Sequence, residues 1–519
     1  MVPDTFATLS ALAERCAATG ALEEAIATYV QALALRPGDP GTLIQLSYLH
    51  SMRGRYRQAR DYTLQALGSG TSLPAVLAEL LPRLRTFNEG PALLACVQRL
   101  LPMSRIPIPL LLAIAAQLTY FNLPEQAITF LDEAFLADPE YPPTCLARAQ
   151  VAIYLGRSQQ AEDDLQRVLR RAPEIAQTYW LLAFLRKQDI QHHQIDAIRR
   201  QLQRPGRNPN ERALLYYALH KSLDDLGEVM PAWDALLAGC RAKRSTLHYQ
   251  SSDTEALVDA LLRHQLGAST PDTKGEQPGR TPIFIVGMHR SGTTLLEQML
   301  SGSNDVKGLG ELYDFTSAMR YLTDHHCRGV IDTALVQRAA GLDMAQAGAR
   351  YLDGIAWRLQ EQRCFTDKLP SNFFNVGFIA QALPQARILH MVRDPMETCF
   401  SNLRELFSDA NPHSYDMQEL AAFQRHYARL MQHWHRALPG RILDVHYDRL
   451  VDVPEQTLRA VCNFCDIPFE PAMLDIGARV RGVVTASAVQ VRANVSKPPQ
   501  AKWRAYESQL LPLQRGLAS

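Results

Sequence analysis

Gly20 and Gly54 stand 34 residues apart, and the same step continues through Asn88, Asn122 and Gly156. Gly and Asn are the residues that best tolerate a left-handed backbone, so five consecutive steps land on turn-compatible positions. Five residues beyond these turns the chain carries Ala25, Ala59, Ala127 and Ala161, and Gln31-Ala32-Leu33 recurs as Gln65-Ala66-Leu67. Pro37, Pro139 and Pro173 share one phase of the period, where second helices would close. A helix–turn–helix unit of this size cannot bury its apolar face alone. It must stack on its neighbours, and the stack curves into a concave groove. The repeats are clear over 6–73 and 108–175 and degenerate between them. Two weaker helical pairs are expected to about residue 240.

A 34-residue helix–turn–helix period is the signature of tetratricopeptide repeats. Residues 1–245 are therefore expected to form such an array. Its groove suits an extended peptide or a partner protein; a scaffold or dimerisation arm with an empty groove is the alternative, and a homodimer is one arrangement it would allow.

Composition excludes several classes. The formal charge is +1 over 519 residues, so no bulk electrostatic case exists for nucleic acid or an anionic membrane. No run approaches the roughly 20 apolar residues of a membrane span, and the first residues show no basic or apolar signal segment. Nine scattered cysteines suit reduced thiols and a cytoplasmic location better than a disulfide framework. The lone Cys462/Cys465 pair lies in an apolar helical pattern without a second pair or a histidine cluster beside it. Residues 266–282 shift to Gly, Pro, Ser and Thr, and 246–280 is expected to be a connecting helix and flexible linker. From 281 to 519 strand-like and helix-like runs alternate, which predicts an α/β domain with a parallel sheet.

That domain begins with a strand, Ile283-Phe284-Ile285-Val286, a turn from Gly287, and a helix opening on Gly292-Thr293-Thr294. The helix-start N–H groups and the helix dipole make an anion cradle. His289, Arg290, Ser291, Thr293 and Thr294 add donors. Gly287 and Gly292 occupy the two glycine places of a nucleotide-binding P-loop, G-x-x-x-x-G-K-[ST], but Thr293 replaces the lysine that phosphate-cleaving enzymes need. Further strands end at Glu311, at Lys368 and at Arg393, with Ser401 on the following helix, and a last strand spans 441–448. Strand ends of an open parallel sheet are where ligands bind.

The pattern Gly-x-x-Arg-Ser-Gly-Thr-Thr resembles the 5′-phosphosulfate loop of sulfotransferases, whose donor is 3′-phosphoadenosine 5′-phosphosulfate (PAPS). Over roughly 282–510 the order of motifs is most similar to the tyrosylprotein sulfotransferases. The resemblance implies Glu311 as catalytic base, Lys368 on the bridging oxygen, and Ser487 near the reacting sulfate. It also implies Arg393, Ser401 and Lys502 at the 3′-phosphate, and PAP as product. Animal members of that family are membrane proteins of the secretory pathway with disulfides and lack such repeats, so a repeat array in front looks more like bacterial sulfotransferases. The acceptor implied is a protein or peptide tyrosine, held by the groove or not; a small molecule or glycan, or a binding scaffold without catalysis, are the rival readings.

The chemistry supports these roles separately. Sulfuryl transfer spreads charge over oxygens, so positioning and electrostatic stabilisation dominate, and no metal is required. The acceptor hydroxyl must lose a proton, for which Glu311 is the candidate base. Plainer roles exist for each: a helix-start acid for Glu311, a strand-end lysine for Lys368, pairing with Asp394 for Arg393. His289 and His390 are rival bases, His289 better suited to cationic help and His390 to the core. Tyr447-Asp448 reads as structural.

Overall fold

The computed structural model describes residues 5–266, 280–476, 484 and 501–518. Ser487 and most of the expected linker lie outside the described residues. The chain divides into two compact units, one of residues 1–137 with 313–358 and one of 138–312 with 359–519.

The first unit begins as antiparallel helical pairs, Thr5–Ala18 with Leu22–Leu35, Pro40–Met52 with Tyr56–Gly68, and so on to Pro124–Ala137. The turns fall on the 34-residue ladder, at φ +81° for Gly20, +72° for Gly54 and +58° for both Asn88 and Asn122. The alanine column explains the close helix approach, since Ala25, Ala59 and Ala127 are wholly buried. The segment 313–358 packs on these repeats. The Tyr56 and Ser317 hydroxyls are 2.9 Å apart, and Ser317 Oγ also donates to the Phe87 carbonyl at 3.1 Å. Tyr120 stacks on Tyr313 with centroids 5.4 Å apart.

The second unit carries the remaining helical pairs and the sheet. Helices Pro142–Tyr154 and Ser158–Arg171 meet at Gly156, φ +75°. Ala176–Leu185, Ile195–Gln203, Pro209–Asp225, Val229–Arg244 and Ser251–Arg263 follow. Five strands form one parallel sheet: β1 (Thr281–Gly287), β2 (Val306–Gly308), β3 (Cys364–Asp367), β4 (Arg387–Val392) and β5 (Ile442–His446), in the order β2-β3-β1-β4-β5. β1 is nearly all apolar because it lies at the centre, covered on both faces. From β1 the chain passes to the edge strand β2, returns inward to β3 beside β1, then crosses to β4 and β5 on the other side. The strand order therefore reverses beside the C-terminal end of β1, the place where open α/β sheets form a ligand crevice.

Late helical pairs are fastened to the sheet half by buried polar contacts. Tyr217 OH donates to the Leu403 carbonyl at 3.0 Å, Arg404 pairs with Asp224 at 2.5 Å, and Arg244 grips Glu419 through two nitrogens at 2.9 and 2.8 Å. All nine cysteines are unpaired, and Cys462 and Cys465 are buried in the helix that backs the sheet. Among the described residues no helix is long and apolar enough to cross a membrane.

Candidate functional site

The cradle is shaped by backbone that only certain residues can adopt. Gly287 has φ +153°, and a Cβ there would stand 2.8 Å from the Met391 carbonyl oxygen. Gly292 has φ +107°, with its back against Tyr447, and it caps the helix Thr293–Leu300. Arg290 also takes a left-handed conformation, φ +69°. Strain of this kind persists where surrounding contacts over-determine the loop. Asn402 is one such contact, its amide donating to the His289 carbonyl at 2.7 Å.

The loop side chains fall into two sets. Thr293, Thr294 and Ser291 are buried, and Ser291 Oγ has no hydrogen-bond partner among the described residues. A buried hydroxyl without a partner at a helix start is a donor that an anion would satisfy. The glycine-walled space, the orphaned Ser291 and the Arg290 guanidinium together fit a phosphosulfate group. Arg290 Nε donates to Ser401 Oγ at 3.2 Å and faces Glu405 at 3.5 Å. Burial lowers the Arg290 pKa, and Glu405 opposes that shift.

Arg393 follows β4 directly. It does not pair with Asp394, whose carboxylate caps the next helix by accepting from the Glu397 N–H at 2.9 Å. Instead Arg393 makes a forked contact with Glu397 at 3.0 and 2.8 Å, donates to the Arg290 carbonyl at 3.1 Å, and lies over the Tyr447 ring. Lys502 is exposed and stands among the charges of Arg404, Asp224, Lys221 and Asp225.

Across the crevice, Lys368 Nζ donates to Glu311 Oε1 at 2.8 Å; the lysine is wholly buried and the carboxylate is 29% exposed. Gly310 makes this meeting possible. Its N–H donates to Glu297 at 2.9 Å and its carbonyl accepts from the Lys368 N–H at 3.0 Å. Glu297 is buried on the cradle helix, and its pKa is raised by desolvation against the pull of Lys368. It ties the cradle helix to the candidate base. Tyr154, from the last turn of helix Pro142–Tyr154, has its phenol pushed up to about 12 by burial and then by Glu311. The charge of the candidate base is thus felt at the end of a repeat helix.

His289 is lowered to about 4 by burial, with Glu311 opposing and Lys368 assisting the shift. It is neutral near pH 7 and packs edge-on to Phe407, with centroids 5.7 Å apart. His390 lies within the sheet, bonded to Asp444 at 2.7 Å and to the Tyr427 hydroxyl, away from the strand ends.

The strand ends thus bring together Glu311, Lys368, the cradle, Arg393 and Ser401. Sequence reasoning missed Glu297, Asn402, Arg404 and Tyr154. Glu297 and Asn402 sit inside helical patterns where an isolated polar residue gives no positional signal. Arg404, three residues beyond Ser401, carried the only available hint.

Residues 282–471 match the model of the sulfotransferase family, so the C-terminal half carries a domain of that family. A putative protein-tyrosine sulfotransferase of Caenorhabditis briggsae is 25% identical over 43% of this chain and 80% of its own length. The protein-tyrosine sulfotransferase of Drosophila melanogaster is 26% identical over 43% of this chain and 46% of its own. An uncharacterized protein of Aquifex aeolicus is 29% identical over 62% of this chain, which spans only 43% of that protein's length. Among solved structures, the sulfotransferase domain of the Synechococcus PCC 7002 olefin synthase is 21% identical, covering 46% of this chain and 97% of that one, at a TM-score of 0.28. A tetratricopeptide repeat protein from Parabacteroides merdae is 14% identical, covering 45% and 92%, at a TM-score of 0.35.

Proposed function

We propose that this chain transfers a sulfuryl group from PAPS to an acceptor hydroxyl, with a protein or peptide tyrosine as the acceptor. The observation that carries the proposal is the Glu311–Lys368 pair at 2.8 Å on the same strand edge as the phosphate cradle. Bound PAPS supplies the sulfuryl group. Ser291, Thr293, Thr294, Arg290 and the helix start hold its sulfate end, while Arg393, Ser401 and Lys502 hold the 3′-phosphate. Glu311, the more exposed member of the pair, takes the acceptor's proton as the hydroxyl becomes nucleophilic. Lys368 then turns its ammonium to the bridging oxygen of the leaving nucleotide, where negative charge develops. Its burial makes that charge effective, because little water screens it.

The tyrosine acceptor rests on the likeness to protein-tyrosine sulfotransferases and on the helical repeats, an architecture that commonly receives extended peptides. Radiolabelled PAPS offered with tyrosine peptides, glycans and small phenols tests this on the full chain. Label on peptide tyrosine is the expected result. Label on glycans or small phenols alone replaces the acceptor, and no transfer to any of them supports a binding scaffold instead.

A further inference from the structure

Away from the crevice, three side chains from three elements converge on one point of the sheet. His390 lies on β4, Asp444 on β5 opposite it in register, and His435 in the last turn of helix Met417–Ala437. His390 Nδ1 is 2.7 Å and His435 Nε2 is 2.9 Å from the same oxygen, Asp444 Oδ1. The three ligand atoms all lie within 4.8 Å of one another. We propose that His390, His435 and Asp444 form a zinc site that fastens the edge strand β5 to the sheet and to helix Met417–Ala437.

Two imidazoles and a carboxylate are a donor set that suits Zn²⁺, leaving a fourth position for water. The site has a way in: Asp444 is 41% and His435 35% exposed, while His390 is almost fully buried and fixed. At 2.7 and 2.9 Å the three groups are hydrogen-bonded to one another, and they need open by only about 0.5 Å to surround a Zn²⁺ with ligands at ~2.0–2.1 Å.

The surroundings also match those of a metal-binding histidine. Such a histidine commonly gives its second ring nitrogen to an oxygen, which fixes the tautomer. His390 Nε2 is bonded to the Tyr427 hydroxyl, which leaves Nδ1 to face Asp444. Tyr427 is in turn hydrogen-bonded to the backbone of Met288, the residue after Gly287 at the entrance of the cradle. The metal would therefore hold β5, which as an edge strand has one unpaired side, and brace the loop through Tyr427. This role is structural and independent of the acceptor and of the transfer chemistry.

The test uses the full chain, stripped with a chelator and titrated with Zn²⁺ against a chromophoric competitor, with Co²⁺ as a spectroscopic stand-in. One equivalent of Zn²⁺ should bind, raise Tm with metal concentration, and give a tetrahedral Co²⁺ absorption. His435→Ala, at a half-exposed position, and Asp444→Asn, of unchanged shape, should each abolish that equivalent. Tyr427→Phe should weaken it by about 10–100-fold, the usual cost of losing an outer partner. Absence of stoichiometric binding to the unaltered chain would overturn the proposal. So would equal binding by the His435 and Asp444 variants, which would place the metal elsewhere.

Discussion

At Gly20, a repeat turn, an added Cβ would meet no atom within 4 Å; at Gly292, in the cradle, it would stand 2.5 Å from Tyr447 Cδ2. Both glycines have a left-handed backbone. The repeat asks only for that conformation, and the chain itself answers with Asn at 88 and 122. The cradle asks for the conformation and for empty space, so a side chain that tolerates the backbone still fails there. The repeats are modular, and the strand edge depends on particular neighbours.

Gly292→Ala presses hardest on this difference. Overpacking of roughly 1–3 kcal/mol must move Tyr447, and with it the Arg393 stack. PAP affinity should fall by on the order of 10²-fold; a variant that binds PAP normally would show that space is not the constraint. Glu311→Gln separates chemistry from binding. Turnover should drop by on the order of 10²–10⁴-fold, the range for a general base, while PAP affinity stays within about twofold. Near-normal turnover would remove Glu311 as the base and bring His289 forward.

His289 allows a smaller, signed effect. Its folded pKa, about 4, is below the ordinary imidazole value, so below about pH 6.5 the unfolded chain binds a proton that the folded chain refuses. Its contribution to stability is present above that pH and is lost as pH falls toward 4. Between pH 7 and pH 5 the Tm of His289→Gln should therefore fall less than that of the unaltered chain. An equal fall would mean that His289 is not held neutral.

The smallest effect belongs to the repeats. Gly20→Asn should cost less than the roughly 1–2 kcal/mol that other L residues lose in a left-handed turn, and Gly20→Ala should cost more than Asn. Chemical denaturation measures both, and a reversed order would show that the repeat turn asks for more than a left-handed backbone.

These two kinds of constraint explain what could be read before the structure. A periodic need repeats in the chain, so Gly20 through Gly156 announced the helical pairs. Apolar runs closed by Gly287, Glu311, Lys368 and Arg393 announced four parallel strands and the edge they share. The partners of that edge were not legible, because each comes from a distant segment. Tyr447 behind Gly292 is 155 positions on, and Glu297 and Asn402 look like ordinary helix residues. Nor could spacing reveal that 313–358 packs with the first repeats, since its contacts, such as Tyr56 with Ser317, are set by surfaces rather than by period.

Calorimetric titration of the full chain with PAP and with ATP asks whether the strand edge is a sulfonucleotide site. PAP should bind, ATP should bind far more weakly, and Arg393→Ala should weaken PAP by roughly tenfold or more, as loss of a charge-assisted phosphate contact worth about 1.5–3 kcal/mol requires. Equal binding of ATP and PAP, or an Arg393 variant that binds PAP as tightly as the unaltered chain, would contradict the account.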